Sequence, residues 1–388
     1  MVTAMPRASS RLAVPAPISA PAIERIAVAR PYMPATSTLI PYLESVERSG
    51  WYSNFGPLNQ ALEIRLAQRF GDSARVVTVN NATAGLTAVL RALDLPAGSL
   101  CVVPAWTFVA TAHAVVQAGL VPYFVDVDQA TMMLDIDAVK ADIATAPAAV
   151  SAVIPVCAFG QRIDVTDWAA FQAETGCKVV IDAAAAYDSI NACDVPVVVS
   201  LHATKALGAG EGGFVVCNDE TLRDRIRATT SFGFQGSRES LYLGGNAKMS
   251  EYTAAVALAA MDGWAQTRWR YQTVAQKLRI LLMDTPQVRF QSGWGLDWVT
   301  SVCVADVGEA CAAPLTEALT AMGIETRAWW GQGCQTSRAF ADFPKAALPV
   351  TDTLAQSTLG LPYFAHMEDE AVARVAAGLK HALAQTGA

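Results

Sequence analysis

The chain has 388 residues, more than one compact core usually holds, so we expect a large domain over residues 23–264 and a smaller one over 265–388. Apolar residues make up 53% and charged residues 16%, a composition typical of a globular protein with a large buried core. The net charge of -7 and the pI of about 5.2 argue against a nucleic-acid partner, because such proteins usually present a basic face.

The eight cysteines and four histidines show no metal-ligand or disulfide spacing, so we predict free thiols in a reducing cytoplasm and no metal site. Residues 1–22 mix alanine and serine with prolines, which would interrupt the apolar centre of a signal peptide. We interpret this stretch as a flexible extension. No apolar run is long enough to cross a bilayer, so we expect no membrane partner.

The first predicted helix covers residues 57–70, where Pro57 suits the first helical position and leucines recur every four residues from Leu58 to Leu66. Apolar runs then alternate with helical stretches, and these runs are VVTV, CVVP, VPYFVDV, AVIPV, KVVIDAA, VPVVVS and GGFVVC. Their continuity indicates strands buried on both faces, and the alternation predicts an α/β fold with a mainly parallel sheet. Such sheets bind ligands beyond the carboxyl ends of their strands.

The C-terminal third predicts elements of a smaller domain. A long helix is expected over residues 250–280, a strand over 298–304 and a closing helix over 369–383. We find no internal repeat.

The segment NNATAGLTAVLRAL at 80–93 places small residues between a strand and a helix that begins near Thr83 or Ala84. The N–H groups and the dipole of a helix start can bind an anion such as phosphate. Ordinary capping of the helix by Thr83 explains the same residues, and this segment alone leaves both interpretations open.

Two charged residues follow later strands. Asp182 ends the apolar run of KVVIDAAAA, and a carboxylate buried there could hold a protonated pyridine nitrogen or cap the next helix. Lys205 follows VPVVVS and precedes a glycine-rich stretch, where its amine could condense with an aldehyde or lie in solvent. An anion site, a carboxylate and an amine are what pyridoxal 5'-phosphate (PLP) requires, so their order predicts a site for that cofactor.

Several segments are similar to motifs of one family, and these are GWYSNFGP at 50–57, NNATAGL at 80–86, PAWTFVATAHA at 104–114, PVCAFGQRID at 155–164, VVIDAAAA at 179–186, SLHATKALGAGEGG at 200–213 and LGGNAKMSEYTAA at 243–255. Through them the chain resembles the DegT/DnrJ/EryC1/StrS sugar aminotransferases from about residue 26 to its C-terminus. The resemblance implies the aspartate-aminotransferase-like fold of PLP-dependent transferases, with a large domain and a smaller C-terminal α+β domain.

The resemblance implies a role for each matching residue. Lys205 would bind the cofactor as a Schiff base and move the proton, while Asp182 would pair with the pyridinium nitrogen. Thr83 and Ala84 would bind the cofactor's phosphate at the helix start, and Ser200 would add a hydroxyl.

Two further roles follow from the same resemblance. Phe108 would stack on the cofactor ring, with neighbouring Trp106 as the alternative. Asn246 would reach the phosphate in the partner subunit, which requires a homodimer with shared active sites.

The chain departs from the family pattern at a few positions. Ala185 stands where the family has a glutamine that touches the cofactor's ring oxygen, and Tyr187 stands where it has a histidine. Ala82 replaces the usual glycine before Thr83. The connection over 188–196 is also shorter than usual.

The expected reaction, by the same resemblance, transfers an amino group from glutamate to a keto sugar on a nucleotide. ETRAWWGQGCQ at 325–335 is most similar to members that act at carbon 4 of dTDP-4-dehydro-6-deoxyglucose. Trp329 and Trp330 would line the sugar or the nucleotide, or pack in the core of the small domain. His202 could touch substrate or cofactor, or make a structural hydrogen bond.

Other interpretations stay open at this point. The substrate could be another nucleotide sugar or a cyclitol, or the chain could be a catalytically silent subunit that binds partners, which Ala185 and Tyr187 favour. A sugar dehydratase of the same family would have histidine in place of Lys205. A nicotinamide enzyme is disfavoured, because no G-x-G-x-x-G follows the first strand.

Overall fold

The computed structural model describes residues 24–308 and 311–386, so the predicted extension at residues 1–22 lies outside the described residues. The α-helices are α1 (Thr36–Ser49), α2 (Pro57–Ala67), α3 (Ala82–Ala92), α4 (Val109–Gln117), α5 (Ile136–Thr145), α6 (Val165–Thr175), α7 (Glu220–Thr229), α8 (Glu251–Asp262), α9 (Trp264–Leu281), α10 (Ala312–Ala321), α11 (Pro349–Ser357) and α12 (Asp369–Thr386). The strands are β1 (Arg75–Val79), β2 (Leu100–Pro104), β3 (Val121–Val125), β4 (Val150–Val153), β5 (Lys178–Val179), β6 (Ile181–Asp182), β7 (Val197–Ser200), β8 (Gly213–Cys217), β9 (Arg289–Phe290), β10 (Cys303–Asp306) and β11 (Thr358–Leu361). The helices predicted at 57–70 and 369–383 are confirmed as α2 and α12, although α2 ends at Ala67 and residues 68–70 form a turn.

The central sheet consists of two four-stranded sets, in the orders β3-β2-β4-β5 and β6-β7-β8-β1. Only Val180 separates β5 from β6, and its N–H donates to the Val153 carbonyl at 3.1 Å, so the two sets continue into each other. β8 is antiparallel to both of its neighbours, β7 and β1, while the other pairs are parallel. The prediction of an α/β fold with a mainly parallel sheet is confirmed.

Both faces of the central sheet are covered. In β7, Val197 and Val199 pack into one hydrophobic cluster, which includes Phe171 of α6. Val198 packs into a different cluster, which includes Leu86 of α3. Because successive side chains of a strand face opposite sides, the body of a strand in this position must be apolar on both faces, as Val197, Val198 and Val199 are.

A smaller antiparallel sheet has the order β11-β10-β9. Its strands share a separate hydrophobic cluster with α9, α10 and α12, which includes Leu278, Leu315, Leu359 and Leu379. The C-terminal part therefore has the α+β composition that the resemblance implies. The domain boundary after residue 264 stays a prediction.

The single long helix predicted over residues 250–280 is wrong in one respect, because Gly263 divides it into α8 and α9. Ser250 caps α8 through its Oγ atom, which accepts the Thr253 N–H at 3.1 Å. The Gly263 carbonyl then accepts the Thr267 N–H at 3.0 Å and starts α9. Glycine has a low helix propensity, so a break at this residue costs little.

The strand predicted over residues 298–304 begins only at Cys303. The residues before it bond to the connection that follows β6. The Val299 N–H donates to Asp188 Oδ2 at 2.9 Å, and the Thr300 hydroxyl donates to the Ala185 carbonyl at 3.4 Å. These bonds take the place of a strand ladder and tie the C-terminal part to the central sheet.

All eight cysteines are free thiols, and all but Cys311 are buried. Burial raises the pKa of the Cys193 and Cys217 thiols to about 11, which keeps both in the unreactive protonated form. Within residues 24–308 and 311–386, none of the helices combines the length and the apolar character that a membrane span needs.

Candidate active site

The carboxyl ends of β1, β2, β6 and β7 lie at the same edge of the central sheet, since β1 and β7 are each antiparallel to β8. Asp182 ends β6, Ser200 ends β7, and α3 and α4 begin shortly after β1 and β2. The structure therefore brings the segments that were predicted to form the site to one edge of the sheet.

Asp182 is 5% exposed, and its carboxylate accepts two hydrogen bonds from uncharged donors. Oδ2 accepts the Thr111 hydroxyl at 2.8 Å, and Oδ1 accepts the Ala184 N–H at 3.1 Å. Burial raises the pKa of Asp182, whereas these hydrogen bonds and the charge of Lys205 lower it. The next regular element is β7, so the interpretation of Asp182 as a helix cap is wrong.

Lys205 is half-buried on the connection between β7 and β8, where its backbone N–H donates to the His202 carbonyl at 2.8 Å. Burial lowers the pKa of its ammonium group, while the charge of Asp182 raises it. Among the residues that the structure describes, its Nζ atom has no hydrogen-bond partner and no ion pair. These features differ from those of a solvated surface lysine.

Glycines let the Lys205 connection fold tightly against the sheet. A Cβ atom at Gly208 would lie 2.8 Å from the Ala203 carbonyl oxygen, and one at Gly213 would lie 3.0 Å from the Ala82 nitrogen. Gly213 pairs with Ser200 in the β7–β8 register, so the connection begins and ends at neighbouring positions. The small residue at Gly213 is what allows β8 to approach the start of α3.

The start of α3 is capped by Asn81, whose Oδ1 accepts the Ala84 N–H at 2.9 Å. Thr83 lies inside the first turn, so its interpretation as the N-cap is wrong. Asparagine is a preferred N-cap residue, and this was the signal in the sequence. Among the described residues, the Ala82 and Thr83 N–H groups have no acceptor and are free for an anion, whereas Asn81 engages the Ala84 N–H. Phosphate binding by Thr83 and Ala84 stays a prediction.

Phe108 is the N-cap residue of α4, and its side chain is 58% exposed, whereas Trp106 is 2% exposed. A ring that stacks on a ligand must be accessible, so the structure favours Phe108 over Trp106 for that role. Ser200 is buried, and its Oγ atom accepts the His202 N–H at 3.2 Å. A hydroxyl that accepts in this way still carries its own hydrogen for a further acceptor.

His202 has partners for both ring nitrogens within its own connection. Nδ1 accepts the Thr204 N–H at 3.2 Å and lies 2.8 Å from the Thr204 hydroxyl, and Nε2 lies 3.6 Å from a Glu211 carboxylate oxygen. These contacts support the interpretation that His202 makes structural hydrogen bonds. A contact of His202 with substrate stays a prediction.

Trp330 stacks on Phe159, with ring centroids 3.7 Å apart, and meets Trp106 edge to face at 5.5 Å. The Arg327 guanidinium lies 4.9 Å from the ring centroid of Trp329. The contacts of Trp330 are those of a packed aromatic cluster. The contact of either tryptophan with substrate stays a prediction.

Asn246 is exposed on the segment between α7 and α8, where its Oδ1 accepts the Lys248 ammonium at 2.6 Å. The carbonyl of neighbouring Ala247 accepts the Asn80 N–H at 2.8 Å, so this segment lies beside the end of β1 in its own chain. The contact of Asn246 with a partner subunit stays a prediction.

The two unusual residues after Asp182 have packing roles. Tyr187 is buried, with its ring edge to face against Trp264 at 4.8 Å and below the Arg69 guanidinium at 4.3 Å. The Ala185 carbonyl would lie 2.7 Å from a Cβ atom at Gly160, so this turn is tightly packed. Ala185 has no polar side-chain atom, so the ring-oxygen contact of the family has no counterpart at this position.

Sequence reasoning missed Thr111, which donates to Asp182, and Thr107, whose Oγ1 lies 3.0 Å from that of Thr111. The signal was their spacing of four residues in TFVAT, which places both hydroxyls on one side of a helix start. The spacing alone does not identify the two threonines as site residues, because their link to Asp182 is visible only in the fold.

A cavity of about 390 Å³ lies at the opposite edge of the central sheet. It is lined by Lys178, Pro196, Asp219 and Arg225, among others, near the amino ends of β5 and β7. The candidate active site at the carboxyl edge is therefore separate from this cavity.

Residues 35–380 match the DegT/DnrJ/EryC1/StrS aminotransferase family. A dTDP-4-amino-4,6-dideoxy-D-glucose transaminase from Shigella dysenteriae is 34% identical over 244 residues, which are 61% of this chain and 65% of that one. The crystal structure of DesI in the presence of its TDP-sugar product is 33% identical, with a TM-score of 0.83 and 93% of each chain covered. A structure assigned as a PLP-dependent aminotransferase from Bacillus cereus is 27% identical, with a TM-score of 0.86, covering 92% of this chain and 100% of that one.

The fold and these comparisons define an aminotransferase with the PLP-dependent transferase fold. The chain belongs to the DegT/DnrJ/EryC1/StrS aminotransferase family. The family and the fold predicted from the sequence motifs are both confirmed.

Proposed function

We propose that the protein is a PLP-dependent aminotransferase that moves an amino group from glutamate to a nucleotide-linked 4-keto-6-deoxy sugar, with dTDP-4-dehydro-6-deoxyglucose as the first candidate. One observation carries the proposal. At one edge of the sheet, Asp182 ends β6 with a buried carboxylate, and Lys205 lies on the connection after the neighbouring strand β7, where its Nζ has no hydrogen-bond partner among the described residues. The charge of each residue favours the charged form of the other.

The residues at this edge fit PLP. The Ala82 and Thr83 N–H groups and the Ser200 hydroxyl are available to a phosphate. Asp182 has acceptor capacity left for the proton of a ring nitrogen, because an ionised carboxylate accepts more than two hydrogen bonds. Phe108 is exposed for stacking on a ring.

When bound, PLP supplies an electron sink for the bond that breaks at the substrate carbon. Lys205 would take the proton from that carbon through Nζ and deliver it to the carbon of the cofactor that receives the amino group. Burial lowers the pKa of Lys205, which increases the fraction of neutral amine that can accept the proton near neutral pH. Asp182 holds the proton of the ring nitrogen in place, and its low exposure strengthens that interaction.

The names of two relatives support the substrate proposal. The Shigella dysenteriae relative is named for dTDP-4-amino-4,6-dideoxy-D-glucose, and DesI was crystallised with a TDP-sugar product. Glutamate as the donor rests on the resemblance to the family. The proposal includes a cytoplasmic homodimer in which Asn246 reaches the phosphate site of the partner subunit.

Borohydride reduction followed by peptide mass mapping tests the covalent site. We expect the added mass on Lys205, and no retained cofactor in Lys205→Ala. The matched control is Lys178→Ala, which changes an exposed lysine at the opposite edge of the sheet and should retain the cofactor. Mass on another lysine would overturn the site, and a protein that shows no aldimine absorbance band after incubation with PLP and removal of the excess would favour the silent subunit.

Amination assays with glutamate test the substrate. We expect turnover of dTDP-4-dehydro-6-deoxyglucose to exceed that of other keto sugar nucleotides and of keto cyclitols. Preference for one of these rivals would overturn the substrate and leave the chemistry intact. A monomer that retains full activity would refute the role of Asn246.

A further inference from the structure

Two buried threonines connect α4 to Asp182. Thr107 precedes Phe108, the N-cap residue of α4, and Thr111 lies in the first turn of that helix, with exposures of 1% and 0%. Their Oγ1 atoms are 3.0 Å apart, and the Thr111 Oγ1 lies 2.8 Å from Asp182 Oδ2. The three groups form one chain of hydrogen bonds that ends on the carboxylate.

The direction of each hydrogen bond in this chain follows from the donors that each group has. An ionised carboxylate only accepts, so Thr111 must donate its single hydroxyl hydrogen to Asp182. The bond between the threonines then has Thr107 as its donor. A hydroxyl that accepts one hydrogen bond donates a stronger one, and the low dielectric of the interior adds to this effect.

Other groups also act on the Asp182 carboxylate, but none of those described below replaces the hydrogen bond from Thr111. Lys205 faces the carboxylate from the β7–β8 connection. Cys157 lies after β4. Burial and the negative charge of Asp182 raise the pKa of the Cys157 thiol, so the thiol stays neutral. The first turn of α4, which carries Thr111, adds the positive end of its helix dipole.

We propose that Thr111, supported by Thr107, is the positioning residue that keeps Asp182 ionised and oriented toward the ring nitrogen of the cofactor. This inference rests on the proposed function, because it assumes PLP at Asp182. The short segment 107–111 then controls two contacts of the cofactor. It carries Phe108, which would stack on the ring, and the hydroxyl that orients the carboxylate.

The test titrates the apoprotein with PLP that carries ¹⁵N at the ring nitrogen and measures both the dissociation constant and the ¹⁵N chemical shift. Thr111→Val replaces the hydroxyl by a methyl group, and Thr111→Ser keeps the hydroxyl. The control is Thr229→Val, which removes a buried hydroxyl of α7 that donates to the Ile226 carbonyl at 2.7 Å.

We expect Thr111→Val to bind PLP about tenfold to a hundredfold more weakly, because a hydrogen bond to a charged group is lost. Its ¹⁵N signal should move toward that of a neutral ring nitrogen. Thr111→Ser and Thr229→Val should keep the affinity and the signal of the unchanged protein. Thr107→Val should shift the signal in the same direction by less.

Unchanged affinity with a protonated nitrogen in Thr111→Val would overturn the inference and leave the proposed cofactor site standing. Failure of the unchanged protein to bind PLP would overturn the proposed function and this inference with it. If Thr111→Val does not fold, Thr107→Val decides, and a ¹⁵N signal equal to that of Thr229→Val would overturn the inference. A merely structural role would lower the melting temperature without moving the ¹⁵N signal.

Discussion

Asp182 and Glu251 are both buried carboxylates, but they use their oxygen atoms differently. Glu251 is 0% exposed and accepts the N–H groups of Leu58 and Asn59 at 2.8 and 2.9 Å, together with the Asn59 side-chain amide at 2.8 Å. These donors lie in the first turn of α2, whose own N-cap, Gly56, has no side chain to accept them. Asp182 accepts one hydroxyl and one N–H and lies beside Lys205.

The difference separates a structural carboxylate from a candidate functional one. Glu251 uses its carboxylate oxygens to accept the N–H groups at the start of α2, where the helix dipole also stabilises its charge. Asp182 keeps acceptor capacity for a donor that the protein itself does not supply. Burial alone therefore does not identify a functional carboxylate, and the set of donors around it does.

Asp182→Asn tests the functional half of the comparison and has the largest expected effect. We expect kcat to fall on the order of a hundredfold to a thousandfold, because the ring nitrogen loses its negatively charged partner. The melting temperature of the apoprotein should stay the same or rise, since a buried charge is removed. Steady-state rates and calorimetry on the same preparation measure both, and a variant with full activity would contradict the assignment.

Glu251→Ala tests the structural half. We expect the free energy of unfolding to fall by about 2–4 kcal/mol, because buried N–H donors at the start of α2 lose their acceptor. Glu251→Gln is the control, since its side-chain carbonyl keeps one acceptor and should restore part of the loss. Denaturant unfolding measures the change, and an unaltered midpoint in Glu251→Ala would show that water replaces the carboxylate.

The pH dependence of apoprotein stability sharpens the comparison further. Burial raises the pKa of Asp182 above its ordinary value of 3.8, so the folded protein binds a proton more readily than the unfolded chain. The contribution of this carboxylate to stability therefore falls as the pH rises from 3.8 through the folded-state pKa. Asp182→Asn should gain stability over the unchanged protein across that range. Thermal unfolding of both proteins from about pH 4 to pH 7 measures the difference, and a constant difference would contradict the raised pKa.

Glu44→Gln gives the smallest expected effect and sets the scale for an exposed carboxylate. Glu44 pairs with Arg48 at 3.6 Å on the surface of α1, and its side chain is 60% exposed. We expect the free energy of unfolding to change by about 0.5 kcal/mol or less, because water screens such a pair. A loss in chemical denaturation as large as that of Glu251→Ala would show that burial is not what separates the two glutamates.

Much of the candidate site could be predicted from the sequence, because continuous apolar runs mark buried strands and functional residues follow their ends. Asp182 and Lys205 were found in this way, and the structure places their strands side by side. The break at Gly263 was missed because the alanine-rich residues before it have a high helix propensity, which hides one glycine in a long pattern.

The hydrogen bond between Thr111 and Asp182 could not be predicted from local sequence. The two residues are 71 positions apart and meet only after β2 and β6 take their places in one sheet. The contacts of Tyr187 could not be predicted either, since Arg69 follows the end of α2 and Trp264 begins α9, both far from Tyr187 in the sequence. Long-range contacts of this kind depend on topology rather than on residue pattern.

The antiparallel direction of β8 has a consequence for the folding order of the site. The pairing of Ser200 with Gly213 closes the loop that carries Lys205, and closing so short a loop costs little chain entropy. Contacts that are local in sequence form quickly, whereas the bond from Thr111 to Asp182 must wait for distant strands to meet. The lysine is therefore held by a hairpin-like return, while neighbouring Ala206 packs in the hydrophobic cluster of the C-terminal part.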